Sequence, residues 1–311
     1  MKQQLRKAMI CTVAMMLVAV LTLTGVTYAW FSESNSAQVT DFSLQVEAST
    51  GGVYISKDPY TGFKNTLTFN DIPTSNFNPV STGGVLDSNN ELEFFKGTIA
   101  SPTATTLDTI EKVSAEGYYL ARTIYFENSM GTSDVTVSLD GTKITAGVDK
   151  NELVGPVLAA RIAIVTQGVV SADEIRDTAN RNYEVDEDNP ATVQILDYAP
   201  TTHTDTGLDE YKNSLDPSAT GSTPFKYYGV KAIGTNVNRF NEGTPSESLT
   251  LLTPDNTGIL KTSDDKVQFT IPAGHNLKTT VYIWLEGQDS DCQNDISGIQ
   301  YNVSLKFTLV E

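Results

Sequence analysis

The sequence predicts an all-β protein: a jelly-roll-like antiparallel β-sandwich with long loop insertions and one or two short helices. Three observations predict this fold class. Apolar and polar residues alternate in many short runs, turn-forming residues separate the runs, and helix signals are scarce. Strict alternation puts one set of side chains on one face of a strand and indicates a half-buried sheet. Several such strands joined by polar connections favour a sandwich or a jelly roll.

Residues 1–29 predict a secretory signal peptide. Three basic residues lie within the first seven, and an uncharged, largely apolar run then continues to Ser32. A positive start, an apolar centre and a small residue before the cut are the features of such a peptide. We expect cleavage after Ala29, which makes Trp30 the first residue of the secreted chain. An uncleaved anchor is the alternative, because the apolar run is long enough to span a bilayer.

Residues 30–49 predict a leader followed by a strand. Trp30 and Phe31 open this segment, polar residues follow, and Phe42, Leu44 and Val46 then alternate with polar neighbours. A strand of this kind can pair within its own subunit or add to the sheet of a neighbour. We therefore take these five residues as a candidate assembly segment, with both pairings open.

Residues 50–311 are predicted to form the sandwich, with an insertion at about 151–262. The insertion begins with an apolar run around 159–165, which is typical of a fully buried strand. Ser171 and Glu174 have the spacing of a capping box and predict a helix over 172–179. Residues 182–262 are rich in turn-forming residues and predict long loops with short strands, with a second small domain as the alternative.

The composition limits the partners. The chain has 38 acidic and 21 basic residues, and its net charge is −17. Such a surface repels nucleic acid and anionic lipid, so we expect membrane contact only through the signal peptide before cleavage. Cys292 is the only cysteine beyond the expected cleavage site, so the secreted chain has no internal disulfide and must rest on its core. The lack of disulfides in an exported chain fits a protein of a Gram-positive bacterium.

The sequence carries no recognisable catalytic motif. It lacks the H-E-x-x-H zinc helix, the dinucleotide and phosphate-binding glycine loops, and the G-x-S-x-G nucleophile turn. Its two histidines, His203 and His275, lie in turn-like stretches. We therefore expect a protein that is not an enzyme and that has no catalytic residues.

One loop offers ligands for a metal ion. Glu286, Asp289, Asp291 and Asp295 lie close together in the sequence, and carboxylate oxygens are the ligands that Ca²⁺ prefers. The spacing differs from that of an EF-hand, and a solvated acidic turn is the alternative. Calcium is the only cofactor that the sequence suggests.

The junction after the signal peptide contains two short motifs, Tyr-Ala-Trp-Phe-Ser at 28–32 and Phe-Ser-Leu-Gln-Val at 42–46. In these motifs the chain resembles the TasA/camelysin family of Gram-positive surface proteins. The stretches 281–298 and 301–309 also resemble paired strands of related exported proteins. The resemblance implies processing by a SipW-type signal peptidase. It also implies a jelly-roll-like subunit of a cell-surface or biofilm-matrix fibre, in which an N-terminal strand completes the sheet of the next subunit. The implied partners are further copies of the chain and other matrix proteins.

Two other functions stay open. The chain can be a cell-surface adhesin that binds through the loops of 182–262, because loops on a rigid scaffold often carry binding sites. Some camelysin-like proteins are described as metallopeptidases, but the zinc motif is missing here, so that activity is not carried over. All three functions imply a secreted protein, outside the cell or at its surface.

Overall fold

The computed structural model describes the chain as an all-β protein. It describes residues 37–47, 52–69, 72, 77–84, 86–98, 109–130, 132–139, 143–146, 159–171, 190–197, 201–202, 241–242, 250–254, 260–263, 266–287 and 299–310. These residues contain no helix, and therefore none that is long and apolar enough to cross a membrane. The signal peptide predicted for residues 1–29 and the helix predicted over 172–179 lie outside them.

Most of the described residues belong to strands. In chain order these are β1 (Ala37–Glu47), β2 (Val53–Ser56), β3 (Thr66–Phe69), β4 (Phe95–Thr98), β5 (Thr109–Lys112), β6 (Tyr119–Asn128), β7 (Val135–Leu139), β8 (Lys143–Ala146), β9 (Ala160–Ser171), β10 (Thr192–Asp197), β11 (Thr201–Thr202), β12 (Asn241–Glu242), β13 (Thr250–Pro254), β14 (Leu260–Ser263), β15 (Gln268–Ile271), β16 (His275–Leu285) and β17 (Ile299–Leu309).

Two large sheets account for most of these strands. Sheet A has the order β15-β7-β17-β1-β3, with β8 also paired to β17. Sheet B has the order β14-β13-β10-β9-β16-β6-β2. The alternation in the sequence explains which face each strand buries: in β17, Tyr301, Val303, Leu305 and Phe307 are buried, and the residues between them are more exposed.

The two sheets pack face to face around one apolar core. Phe307 of sheet A and Phe126 of sheet B meet edge to face, with ring centres 5.2 Å apart. The ring centre of Phe269, also in sheet A, lies 5.0 Å from that of Phe126. The same cluster contains buried residues from β2, β3, β9 and β16. This arrangement confirms the predicted all-β sandwich. The jelly-roll topology stays a prediction.

A further layer covers the outer face of sheet B. Residues 77–98 place Val80, Leu92 and Phe94 against Tyr282 and Trp284 of β16, in a second buried cluster. The Phe94 ring also stacks on Tyr119, with centres 4.1 Å apart. Sheet B is therefore buried on both faces in this region.

This double cover explains strand β9, which is buried at every position except its last. A strand with both faces covered has an apolar run without alternation. The buried strand that the sequence predicts around 159–165 is confirmed.

The predicted insertion at about 151–262 contains strands of the sandwich itself. β9 lies between β10 and β16 near the middle of sheet B, and β13 and β14 extend the same sheet. The sandwich also takes in β1, which the prediction assigned to the leader. Between residues 198 and 249 the structure describes only the short pair β11 and β12, so a second small domain there stays a prediction.

Candidate assembly site

The candidate assembly strand β1 lies inside sheet A, between β17 and β3. It pairs with β17 in parallel from Ala37↔Ile299 to Glu47↔Thr308, and with β3 antiparallel over 42–45. All other pairings between the named strands that the structure describes are antiparallel. Both backbone edges of β1 are therefore engaged within the single chain.

The register places the predicted assembly positions on the inward face of sheet A. Phe42, Leu44 and Val46 are in register with Val303, Leu305 and Phe307, all of which are buried. Residues in register on neighbouring strands share a face, so these three positions belong to the core side. The side chains of β1 are outside the described part of the structure, as are Ala29, Trp30 and Phe31.

The pairing of β1 with β17 has one irregularity. The register shifts between Val39 and Asp41, as expected for a β-bulge that leaves Thr40 without a partner in the ladder. Pairing is continuous from Asp41 to Glu47, which contains the predicted strand positions Phe42, Leu44 and Val46, and the strand begins at Ala37. The bulge separates a short first part of β1 from a longer second part.

Gly52 fixes the point where the chain enters sheet B after β1. Its φ of 154° favours glycine, and an ideal Cβ would lie 2.7 Å from Met130 Cγ, so a larger residue would also displace that side chain. The Ser129 backbone N–H donates to the Gly52 carbonyl at 2.7 Å. Residues 48–51, which connect β1 to Gly52, lie outside the described residues.

The outer edge of sheet A at β15 carries a side-chain cap. The Gln194 side-chain amide donates to the Gln268 carbonyl at 3.0 Å, and its oxygen accepts from the Gln268 backbone N–H at 3.0 Å. A glutamine amide thus takes the place that a peptide group of a further strand would occupy. This protects part of an edge where other chains could add.

A buried charge network lies where β9, β10 and β16 meet the outer layer. Arg161 Nε donates to Asp197 Oδ2 at 2.9 Å, and Arg161 Nη1 donates to Glu286 Oε2 at 3.0 Å. The Ser81 hydroxyl donates to Glu286 Oε1, and the Trp284 indole N–H donates to Oε2 at 3.2 Å. All three charged side chains are at least 95% buried.

The network fastens the outer layer to the end of β16. The Gly287 N–H donates to the Val80 carbonyl at 2.9 Å, next to Ser81. The Glu286 N–H donates to the Ala159 carbonyl at 2.8 Å, just before β9. Glu286 therefore joins three segments that are distant in the sequence, and these contacts stabilise the fold.

This environment bears on the calcium hypothesis. Glu286 is buried, and both of its carboxylate oxygens accept hydrogen bonds from protein donors. Asp289, Asp291 and Asp295 lie outside the described residues, and the described ranges contain no group of three or more His, Cys, Asp or Glu side chains that could hold a metal ion. A calcium site in this loop stays a prediction.

Sequence reasoning did not find Arg161 and Asp197. One signal was available: Arg161 interrupts the apolar run of β9, and a fully buried arginine requires an anionic partner. The run itself was read correctly as a buried strand. Which carboxylates serve as partners follows only from the sheet order.

The chain matches no protein-family model, no curated protein and no solved structure.

Proposed function

We propose that the protein is a secreted structural subunit of a cell-surface or biofilm-matrix fibre, and that β1 of one copy occupies the β1 position of the next. One observation carries the proposal. β1 pairs with β17 over nearly its whole length and with β3 over 42–45, and the segment 48–51 joins it to the rest of the chain on its C-terminal side. Its N-terminal side would become a free end after processing at Ala29.

Strand exchange conserves the contacts of the single chain. A β1 strand from a neighbour would form the same main-chain hydrogen bonds with β17 and β3, and it would put the same positions on the core side. Main-chain bonds supply the affinity in such strand addition, and alternate side chains supply the specificity. Exchange of an identical element is a low-cost route to association.

The resulting contact is head-to-tail. One copy gives its β1 and receives β1 from another, so the two surfaces in contact are different. A contact of this kind that does not close into a ring generates a filament. Signal peptidase of the SipW type would start assembly by releasing the segment before β1 from the membrane.

A disulfide between β1 and β17 tests which sheet β1 joins. Ser43 is in register with Ser304, and Cα atoms on neighbouring strands lie about 4.8 Å apart, a separation that a disulfide accepts. The variant Ser43→Cys/Ser304→Cys is made in a Cys292→Ser background, exported and processed, and oxidised under assembly conditions. We expect a covalent ladder of subunits on non-reducing gels that collapses to a single band on reduction.

The matched control links two strands that the proposal leaves within one subunit. Thr136 and Thr270 face each other across β7 and β15, with hydroxyl oxygens 3.1 Å apart. Thr136→Cys/Thr270→Cys should give only intramolecular disulfides in the same material. A purely monomeric band for the Ser43/Ser304 pair, in samples that contain filaments by electron microscopy, would reject strand exchange.

The adhesin and metallopeptidase alternatives gain no support. Most of the loops of 182–262 lie outside the described residues, and the described part holds no cluster of metal ligands. The adhesin stays the alternative, and the metallopeptidase stays the less favoured one.

A further inference from the structure

Tyrosines form a strip on the outer face of sheet B, beside its β2 edge. Ile55 of β2 and Phe126 of β6 belong to the core between the sheets. Because strand side chains alternate, Tyr54, Tyr125 and Glu127 lie on the opposite, outer face. All three are half-buried there.

The register sets these side chains next to one another. Tyr54 is in register with Glu127, and Glu127 with Asn276 of β16. In the next row, Tyr125 lies between Ser56 and Lys278. Neighbouring strands are about 4.8 Å apart, so the rows form a compact grid in which polar groups flank each ring.

Tyr60 extends the strip from the loop after β2. Its backbone N–H donates to Asp58 Oδ1 at 2.8 Å, and the Thr61 N–H donates to the same oxygen at 3.0 Å. The ring of Tyr60 is exposed, with 37% of the residue accessible. Asp58 thereby holds the backbone of this exposed tyrosine in a defined turn, which lowers the entropic cost of binding a ligand.

The strip is close to electrical neutrality, although the chain as a whole is strongly acidic. Burial raises the pKa of the Glu127 carboxyl above its ordinary value. The Lys278 ammonium lies on the same face, one row away. Burial and then the nearby Tyr60 and Asp58 raise the pKa of the Tyr125 phenol above its ordinary value. Such a surface favours an uncharged ligand over an ionic one.

A buried acceptor adjoins the strip. Asn276, next to Glu127 in the register, is 2% exposed, and its Oδ1 accepts no hydrogen bond within the part of the chain that the structure describes. A buried carbonyl oxygen without a donor costs free energy. A water molecule that bridges this oxygen and a ligand hydroxyl would supply the missing donor.

We propose that the tyrosine strip, defined as Tyr54, Tyr60, Tyr125, Glu127 and Lys278, binds a neutral polysaccharide. The apolar C–H faces of sugar rings stack on tyrosine rings, and their hydroxyls pair with the carboxyl, ammonium and phenol groups between them. A protein partner would need a contiguous apolar centre, whereas polar side chains separate the rings here. This binding is independent of strand exchange.

Affinity electrophoresis tests the proposal with the exported, processed chain. Native gels contain a soluble glucan, xylan or galactomannan, and one gel contains alginate as a polyanion. We expect retardation by at least one neutral polysaccharide and none by alginate. Tyr54→Ala, Tyr60→Ala and Tyr125→Ala should each weaken binding at least about fivefold, whereas Tyr54→Phe, which keeps the ring, should retain it.

Tyr118→Ala is the matched control, because this half-buried tyrosine packs with the outer layer instead of the strip. It should bind like the unaltered chain. Tyr60→Ala changes an exposed loop residue, so a loss of binding in that variant with an unchanged Tm reports on the ligand contact. Lack of retardation by all three neutral polysaccharides, or equal retardation of the unaltered chain and the three alanine variants, would overturn the proposal.

Discussion

Arg161 shows how a single buried residue links three neighbouring strands of sheet B, because it lies in β9 and its partners lie at the end of β10 and directly after β16. It interrupts the apolar run at the start of β9, and its guanidinium bridges Asp197 and Glu286 at 2.9 and 3.0 Å. Burying charges is costly, and removal of one partner leaves the others without compensation. We therefore expect these three side chains to be far more sensitive to substitution than charged residues at the surface.

The substitution Glu286→Ala should destabilise the protein by about 3 kcal/mol, because it removes an anionic partner of the buried Arg161 and the acceptor of the Ser81 and Trp284 donors. Urea denaturation of the exported chain measures the loss. Glu93→Ala is the control, since Glu93 pairs at 2.7 Å with Lys112, whose side chain is 52% exposed. That change should cost less than about 1 kcal/mol. Equal losses for the two variants would contradict a structural role for the network.

Single elements differ in how their edges are protected. β1 has partners on both sides, whereas β15 ends the path of paired strands in sheet A. The Gln194 amide engages the backbone of β15 at Gln268, so part of this edge does not offer free donors and acceptors. In a protein that adds strands at one position, such a cap would discourage addition at another.

Gln194→Ala should expose the β15 edge and promote side-by-side association of subunits or filaments. Light scattering and the width of filaments in electron micrographs measure this, with Lys266→Ala as the control because Lys266 is an exposed neighbour of β15. We expect bundling in the first variant and unchanged widths in the second. Identical scattering and widths in both would show that the cap has no role in limiting association.

At the scale of the whole molecule, sheet A joins strands from near both ends of the described chain. β17 has β7 and β8 on one side and β1 on the other. Without β1, the buried residues Val303, Leu305 and Phe307 would lose the strand beside them, and β3 would lose its partner in sheet A. The sandwich is therefore complete only when some β1 strand, its own or a neighbour's, is in place.

Deletion of residues 30–49 from the secreted chain should lower Tm by more than about 10 °C, because several kcal/mol of pairing and burial are lost. A synthetic peptide of residues 37–47 should restore part of the Tm in a concentration-dependent manner, as expected for a ligand that binds only the folded state. A peptide of the same composition with its alternation scrambled is the control. An unchanged Tm after the deletion would show that β1 does not complete the sheet.

Local patterns in the sequence were sufficient for much of the fold. The alternation in β6, β7, β15, β16 and β17 is sufficient to indicate these strands and their buried faces, and the continuous run around 159–165 predicted β9. The outer layer of residues 77–98 was not predicted. Its packing against β16 depends on side chains such as Phe94 and Trp284, which are far apart in the sequence and show no shared period.

The candidate assembly site was likewise predictable only in part. The inward positions Phe42, Leu44 and Val46 could be assigned from their spacing, because a period of two is a local property. Their parallel pairing with β17 could not, since a strand with this pattern can pair in either direction and with many partners. The signal peptide, the calcium loop and the fibre function stay predictions.

The sequence by itself determined that the chain forms strands, which face of each strand is apolar, and that β9 is buried on both sides, because these properties depend on neighbouring residues alone. Only the tertiary structure decided that β1 lies between β17 and β3, and that Arg161 meets a carboxylate 125 residues away. Partner and register depend on the free energy of the complete core, and no local period carries that information.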